Sequence, residues 1–253
     1  MLYLLGGKMN YNILTIFPEL ITTFANTGFI KNAINSQLIN INTINIRDYS
    51  EDVHQRVDDK VYGGGPGMIL KYPPIDRAIK DIKKKGYILY LSPQGTVLNQ
   101  KKLKKLSQYE NLTFICGRYE GVDQRVIDTL VDEEISIGDY VISGGEIPCM
   151  TIIEGITRLL PGVVDDFESI KQDSFQKGIL DHPHYTRPEE ANGWKIPDVL
   201  SSGNHENIDK WRKKQALGAT WIKRRELLKD VKLSIEDDKL LKEYIAEYKK
   251  NGN

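Results

Sequence analysis

Short apolar runs of strand length alternate with segments of helical period through about residue 160. The spacing predicts a strand over Asn12 to Phe17, then a helix opened by Pro18 with Leu20, Ile21 and Phe24 on one face. Ile39, Ile41, Ile44 and Ile46 predict a second strand. Pro73-Pro74-Ile75 begins a helix striped by Ile75, Ala78, Ile79 and Ile82, which Gly86 is expected to end ahead of an apolar strand from Tyr87 to Leu91. Asn99 caps a basic amphipathic helix burying Leu103 and Leu106. Leu112 to Cys116 reads as a wholly apolar strand, and Asp123 caps a helix with Val126, Ile127 and Leu130 inward. A further strand is expected from Ile135 to Ile137, and a helix with Ile152, Ile153, Ile156 and Leu159 begins at Pro148.

Continuous apolar strands separated by helices are buried on both faces, so the fold class is α/β with a parallel sheet. The pattern changes after Pro161. Residues 162–173 are acidic and small without apolar period and read as a flexible linker. Residues 174–253 show helical segments and turns without a convincing strand, which predicts a small all-α C-terminal domain. The first eight residues read as a leader outside the fold, and the α/β domain as residues 9–161.

Composition narrows this picture only a little. The 253 residues are 40% hydrophobic and 28% charged, as in a globular protein, and 35 basic residues balance 35 acidic ones. Global charge therefore says nothing about an anionic partner, and nucleic-acid binding must be argued locally. Cys116 and Cys149 are too few for a disulfide framework and read as buried apolar residues in a reducing compartment. No run approaches the roughly 20 apolar residues of a membrane helix, and the apolar start lacks a basic leading segment. The chain is expected to be cytoplasmic.

Glycine is concentrated in four loops at or near predicted strand ends: Tyr62-Gly63-Gly64-Gly65-Pro66-Gly67-Met68, Leu91-Ser92-Pro93-Gln94-Gly95, Cys116-Gly117-Arg118-Tyr119-Glu120-Gly121, and Ile137 through Gly145. Ligands of open α/β sheets bind beyond the carboxyl ends of strands, where glycine permits close backbone approach. Gly65-Pro66-Gly67 is not followed by Gly-Lys-Ser/Thr, which excludes a Walker loop, and no Gly-x-Gly-x-x-Gly follows a strand, which argues against a Rossmann dinucleotide site.

In this order the loops resemble the bacterial tRNA (guanine-N1)-methyltransferases, the TrmD family of the SPOUT superfamily. The resemblance runs from about Tyr11 to about Arg225. Further strings that carry it are Phe17-Pro18-Glu19, Gly144-Gly145-Glu146, Arg158-Leu159-Leu160-Pro161-Gly162, Asp173-Ser174-Phe175, Pro183-His184-Tyr185-Thr186-Arg187-Pro188 and Ser202-Gly203-Asn204-His205. One departure is Lys60-Val61, where the family pattern has an arginine-proline pair.

The resemblance implies a trefoil-knotted, homodimeric α/β domain, S-adenosylmethionine as methyl donor, and N1 of guanosine 37, next to the anticodon of tRNA, as acceptor. It implies that Leu91, Ser92, Pro93, Gly117, Tyr119, Glu120, Ile137, Gly138, Asp139, Tyr140, Val141, Ile142, Gly144, Gly145 and Pro148 hold the cofactor. N1 carries a proton at neutral pH, so its methylation needs a base, and charge drifting toward O6 needs a cationic partner. By resemblance Asp173 is the base and Arg158 the cation, contributed by opposite subunits. On residues alone, Asp173 reads first as a helix N-cap, and Arg158 reads equally as a partner of a helix dipole. Glu120 and Asp181 are the candidates for a magnesium-linked role suggested by the family, or else ordinary loop carboxylates.

Local charge supports an RNA partner independently. From Lys210 to Arg225 the chain carries Lys210, Arg212, Lys213, Lys214, Lys223, Arg224 and Arg225 with no acid, interleaved with Trp211 and Trp221. Such a stripe suits phosphate contact, with the rings free for stacking or for the core. The resemblance adds His184, Tyr185 and Arg187 near the RNA.

Overall fold

The computed structural model describes residues 8–163 and 173–250. The leader, apart from Lys8, and most of the linker expected from the sequence lie outside the described residues. The chain divides into two compact units, Met1–Asp165 and Asp166–Asn253.

In the first unit, five strands form one sheet in the order β2-β1-β6-β5-β7. They are β1 (Met9–Thr15), β2 (Ile39–Asn45), β5 (Tyr87–Val97), β6 (Asn111–Ile115) and β7 (Glu133–Ser136), and every pairing among them is parallel. Their side chains alternate between two apolar layers, as the period-2 geometry of a strand requires. On one side Tyr11 reaches Thr157, its hydroxyl 3.2 Å from Thr157 Oγ1. That side is covered by α6 (Glu146–Thr157), with α1 (Pro18–Ala25), α2 (Gly28–Asn35) and α4 (Gln100–Leu106) around it. On the other, Leu14, Ile44, Ile88 and Ile115 pack with Ile75, Ala78 and Ile79 of α3 (Tyr72–Asp81) and Val126 of α5 (Gln124–Leu130). Both faces are thus buried, as expected of a parallel sheet.

Several local signals act where the sequence places them. Asn99 Oδ1 accepts from Lys102 N at 2.9 Å and Asp123 Oδ1 from Arg125 N at 2.9 Å, each capping its helix. Other boundaries move. Helix α3 ends at Asp81, five residues before Gly86, and α6 begins at Glu146, so Pro148 sits inside its first turn, where no N–H is missed. Strand β5 runs on through Ser92 and Gly95 to Val97, with an irregularity between Leu91 and Thr96 in its pairing with β7. A short antiparallel pair, β3 (Asp58–Lys60) and β4 (Met68–Leu70), brackets the Tyr62 glycine loop.

The second unit is mainly helical: α7 (His205–Lys223) packs on α8 (Ile235–Lys250) through Leu217, Leu240 and Leu241, with Ile179, Trp221 and Leu228 around them. It departs from the all-α expectation in one hairpin, β8 (Glu190–Ala191) with β9 (Trp194–Lys195). Its two-residue turn, Asn192-Gly193, has both φ angles positive, 52° and 81°, the geometry that an Asn-Gly pair adopts at low cost. Among the described residues no helix is long and apolar enough to cross a membrane.

Candidate functional site

Beyond the carboxyl ends of β5, β6 and β7 lies a cavity of about 440 Å³. It gathers three of the four glycine loops. Leu91, Ser92 and Pro93 form one wall, Gly117, Tyr119 and Glu120 a second, and Ile137, Gly138, Tyr140, Val141, Ile142, Gly144, Gly145 and Pro148 a third. Of the cofactor residues expected from the sequence, only Asp139 is not part of the lining. The Tyr62 loop contributes nothing to it. Instead its Gly67 lies against the Glu120 side chain, so closely that a Cβ there would collide with the carboxylate.

The glycines make the loops interlock. A Cβ on Gly145 would lie 2.7 Å from Cys116 Cα, and one on Gly117 would lie 2.7 Å from the Tyr90 hydroxyl. The Gly145 N–H donates to the Gly117 carbonyl at 2.9 Å, which joins the second and third walls. Cys116 and Cys149 lie behind these walls, both free and buried, and burial together with the neighbouring Cys149 sulfur pushes the Cys116 thiol well up.

Neither Arg118 nor Glu146 is among the site residues expected from the sequence, although both stand in strings that carry the family resemblance. Glu146 is fully buried at the start of α6. Its Oε1 accepts from Thr15 Oγ1 at 2.6 Å, and its Oε2 lies 2.8 Å from both Nε and Nη2 of Arg118. Arg118 borders the cavity, stacks over the Phe17 ring at 4.4 Å, and points Nη1 toward the carbonyl and hydroxyl oxygens of Ser143. A side chain at Gly144 would run into this guanidinium. The signal that could have found the pair was a Glu immediately after two glycines at a strand-to-helix turn.

Arg158 caps the C-terminus of α6 in the first unit, and Asp173 opens a turn in the second, its carbonyl accepting from Gln176 N at 3.2 Å. Glu120 and Asp181 likewise belong to different units. Asp181 is engaged locally: its Oδ1 lies 2.7 Å from His182 Nδ1 and its Oδ2 2.9 Å from His184 Nε2. Burial alone would raise the Asp181 carboxyl, but hydrogen bonds from His184 and His182 outweigh it and hold it below its usual range. Desolvation pushes His182 down, against the pull of Asp181.

The basic stripe on α7 is less bare than its sequence suggests. Lys213 pairs with Asp237 at 3.0 Å and Lys214 with Glu247 at 2.7 Å, both acids of α8, and Arg212 reaches Asp209 at 3.3 Å. Lys210 is exposed. The two tryptophans divide: Trp221 packs into the unit's core, edge-on to Tyr248. Trp211 lies beside His182 and Tyr185. Together with His184, Arg187 and Arg212 it borders a second cavity of about 430 Å³.

An open parallel α/β domain with a glycine-lined, strand-end cavity of small-molecule size, followed by a helical unit with a cationic and aromatic surface, defines a class of two-domain α/β proteins. Comparison with known proteins narrows the class. A model of the family "tRNA (Guanine-1)-methyltransferase TrmD" matches residues 9–230, and the chain belongs to that family. It is 53% identical over 244 residues to a tRNA (guanine-N(1)-)-methyltransferase of Sulfurihydrogenibium sp., covering 95% of each chain. Its identity to the Photobacterium profundum protein of the same description is 49% over 241 residues, covering 94% of this chain and 97% of the other. A crystal structure of tRNA (m1G37) methyltransferase from Aquifex aeolicus superposes with a TM-score of 0.68 at 39% identity, covering 81% of this chain and 88% of that one.

Proposed function

We propose that this chain is a tRNA (guanine-N1)-methyltransferase that takes its methyl group from S-adenosylmethionine and delivers it to N1 of guanosine 37. The observation that carries the reading is the cavity itself, because three family strings far apart in sequence meet in one wall system. The residues fit the donor. A space of about 440 Å³ falls within the roughly 300–1,000 Å³ of small-molecule sites, and Gly117, Gly138, Gly144 and Gly145 bring peptide groups within reach of an adenosine. Leu91, Ile137, Val141 and Ile142 offer apolar surface for the base and Ser92 a hydroxyl. When bound, S-adenosylmethionine supplies an electrophilic methyl group on a sulfonium.

The remaining chemistry belongs to the chain. Asp173 is read as the base that removes the N1 proton, and Arg158 as the cation that supports charge gathering on O6. Both readings rest on the family strings, as do a knotted sheet domain and a homodimer that joins Arg158 of one subunit to Asp173 of the other. The second unit is read as the tRNA-holding part, with His184, Tyr185, Arg187, Lys210, Arg212, Lys213 and Lys214 at the RNA. Magnesium dependence through Glu120 and Asp181 belongs to the same family reading, as does a cytoplasmic location.

A rival on the same scaffold would methylate a ribose 2′-hydroxyl and would not need Arg158 and Asp173 as a pair. A second would bind RNA without catalysis. Incubation with tRNA and labelled S-adenosylmethionine, followed by mass spectrometry of the nucleosides, separates the three. Label in 1-methylguanosine is expected; label in a ribose-methylated nucleoside, or none, overturns the proposal.

A further inference from the structure

The lining of the strand-end cavity contains one cation, Arg118, and one anion, Glu120. The buried carboxylate of Glu146 lies behind it, outside the lining, and grips Arg118 through two guanidinium nitrogens at 2.8 Å. Burying a carboxylate completely is costly unless its charge is paired and its lone pairs are filled. Here both oxygens are filled, one by Thr15 and one by Arg118. Packing alone would be served as well by an apolar pair, so the arrangement calls for a reason in the charge.

The two forms of the cofactor supply that reason. The methyl donor carries a sulfonium; its demethylated product, S-adenosylhomocysteine, carries a neutral thioether in the same place. An unneutralised guanidinium on the cavity wall would repel the first and not the second. We propose that Glu146 is a positioning and charge-setting residue: by neutralising Arg118 it keeps the cavity hospitable to a sulfonium and so sets the preference for donor over spent product. The inference rests on the reading of this cavity as the donor site. Geometry supports a second, mechanical part of the role. Arg118 bridges the Gly117 loop to Ser143, and Gly144 is free of a side chain where the guanidinium crosses it.

The test is calorimetric titration of the full-length protein and its variants with S-adenosylmethionine and S-adenosylhomocysteine separately, read as the ratio of the two affinities. Glu146→Gln keeps the shape and removes the charge. A like charge left on the cavity wall repels a bound cation, at the effective dielectric near a protein surface, enough to change affinity on the order of tenfold. The ratio is therefore expected to fall by about that factor against the methyl donor. The double variant Arg118→Gln/Glu146→Gln removes both charges and is expected to bring the ratio back to the wild-type value, a rescue that loss of packing would not give. An unchanged ratio in Glu146→Gln, or no recovery in the double variant, overturns the inference. If Glu146→Gln does not fold, Glu146→Met, close in volume and uncharged, decides: the unpaired guanidinium must shift the ratio against the sulfonium, and an unmoved ratio overturns the inference. Wild-type protein that binds neither compound would instead overturn the reading of the cavity.

Discussion

His184 Nε2 lies 2.9 Å from Asp181 Oδ2, and the carboxylate that receives it is held at its other oxygen by His182. This cluster makes the second unit sensitive to acid. His182 is lowered by burial, so below its ordinary value of 6.5 the unfolded chain takes up a proton that the folded chain refuses. Asp181 is also held below its ordinary 3.8, where burial is outweighed by the histidine hydrogen bonds, and its contribution is lost as pH falls through the lowered folded value. Both shifts have the same sign: stability is full above pH 6.5 and declines in two stages on acidification. Histidine ring resonances followed by NMR in the full chain should show His182 titrating below 6.5. A His182 midpoint at or above 6.5 would contradict the burial argument.

The proposed role of Asp173 predicts a separation of binding from rate. Asp173→Asn removes the base and keeps the shape, so turnover should fall roughly 10²–10⁴-fold while S-adenosylmethionine affinity stays near wild type. Single-turnover kinetics with saturating tRNA and donor measure this directly. Turnover within a few-fold of wild type would leave the proton to another group.

How much of this was legible in the sequence depends on how local each signal is. The β1 and β6 runs carry closely spaced buried Ile, Leu and Phe, and β2 mixes Ile with Asn and Thr, so each strand is marked by its own residues, and the Asn99 and Asp123 caps act within three residues. The hairpin turn Asn192-Gly193 was just as local a signal, but the two-residue strands around it are too short to show alternation. The meeting of Leu91, Gly117 and Gly145 in one cavity was foreseen only through family resemblance, since no periodicity encodes which strand ends are neighbours. Asp139 was carried along by its place in the string and is not among the residues that line the cavity. Arg118 and Glu146 escaped because an ion pair formed across 28 residues leaves no mark on spacing. For the same reason the α7 cations looked unopposed: Asp237 and Glu247, which partner Lys213 and Lys214, lie one helix later.

Those pairings rank the cations for RNA binding. Lys210 is exposed on α7, whereas Lys214 is held by both oxygens of Glu247, at 2.7 and 2.8 Å. A phosphate competing for Lys214 must displace that carboxylate; Lys210 forms no ion pair among the described residues, so one approaching it displaces no carboxylate. Lys210→Ala should therefore weaken tRNA binding more than Lys214→Ala, and should reduce the slope of log affinity against log salt by about one. Filter binding at several salt concentrations provides both numbers. Equal losses, or a larger loss for Lys214→Ala, would show that the α7–α8 pairs open on RNA binding at little cost.

Gly145 is the position where the cavity tolerates least. Its φ of −80° is open to any residue, so the constraint is space and not backbone conformation. An added Cβ would lie 2.7 Å from Cys116 Cα and 3.0 Å from Gly117 N, both backbone atoms of the strand-end loop opposite, neither able to yield as a flexible side chain would. Gly145→Ala must then push the two walls apart and stretch the bond from Gly145 N–H to the Gly117 carbonyl, now 2.9 Å. Overpacking of this kind typically costs about 1–3 kcal/mol. The sheet and helices remain intact, so the damage should concentrate in the cavity: donor affinity should drop by about fivefold or more, by the same free-energy conversion, with a smaller fall in thermal midpoint. Gly203→Ala is the control, since its Cβ would meet open space, though φ of 71° strains it locally. Calorimetry and thermal melts on both variants settle the matter, and donor binding by Gly145→Ala as tight as wild type would show that the walls are not held in register by this contact.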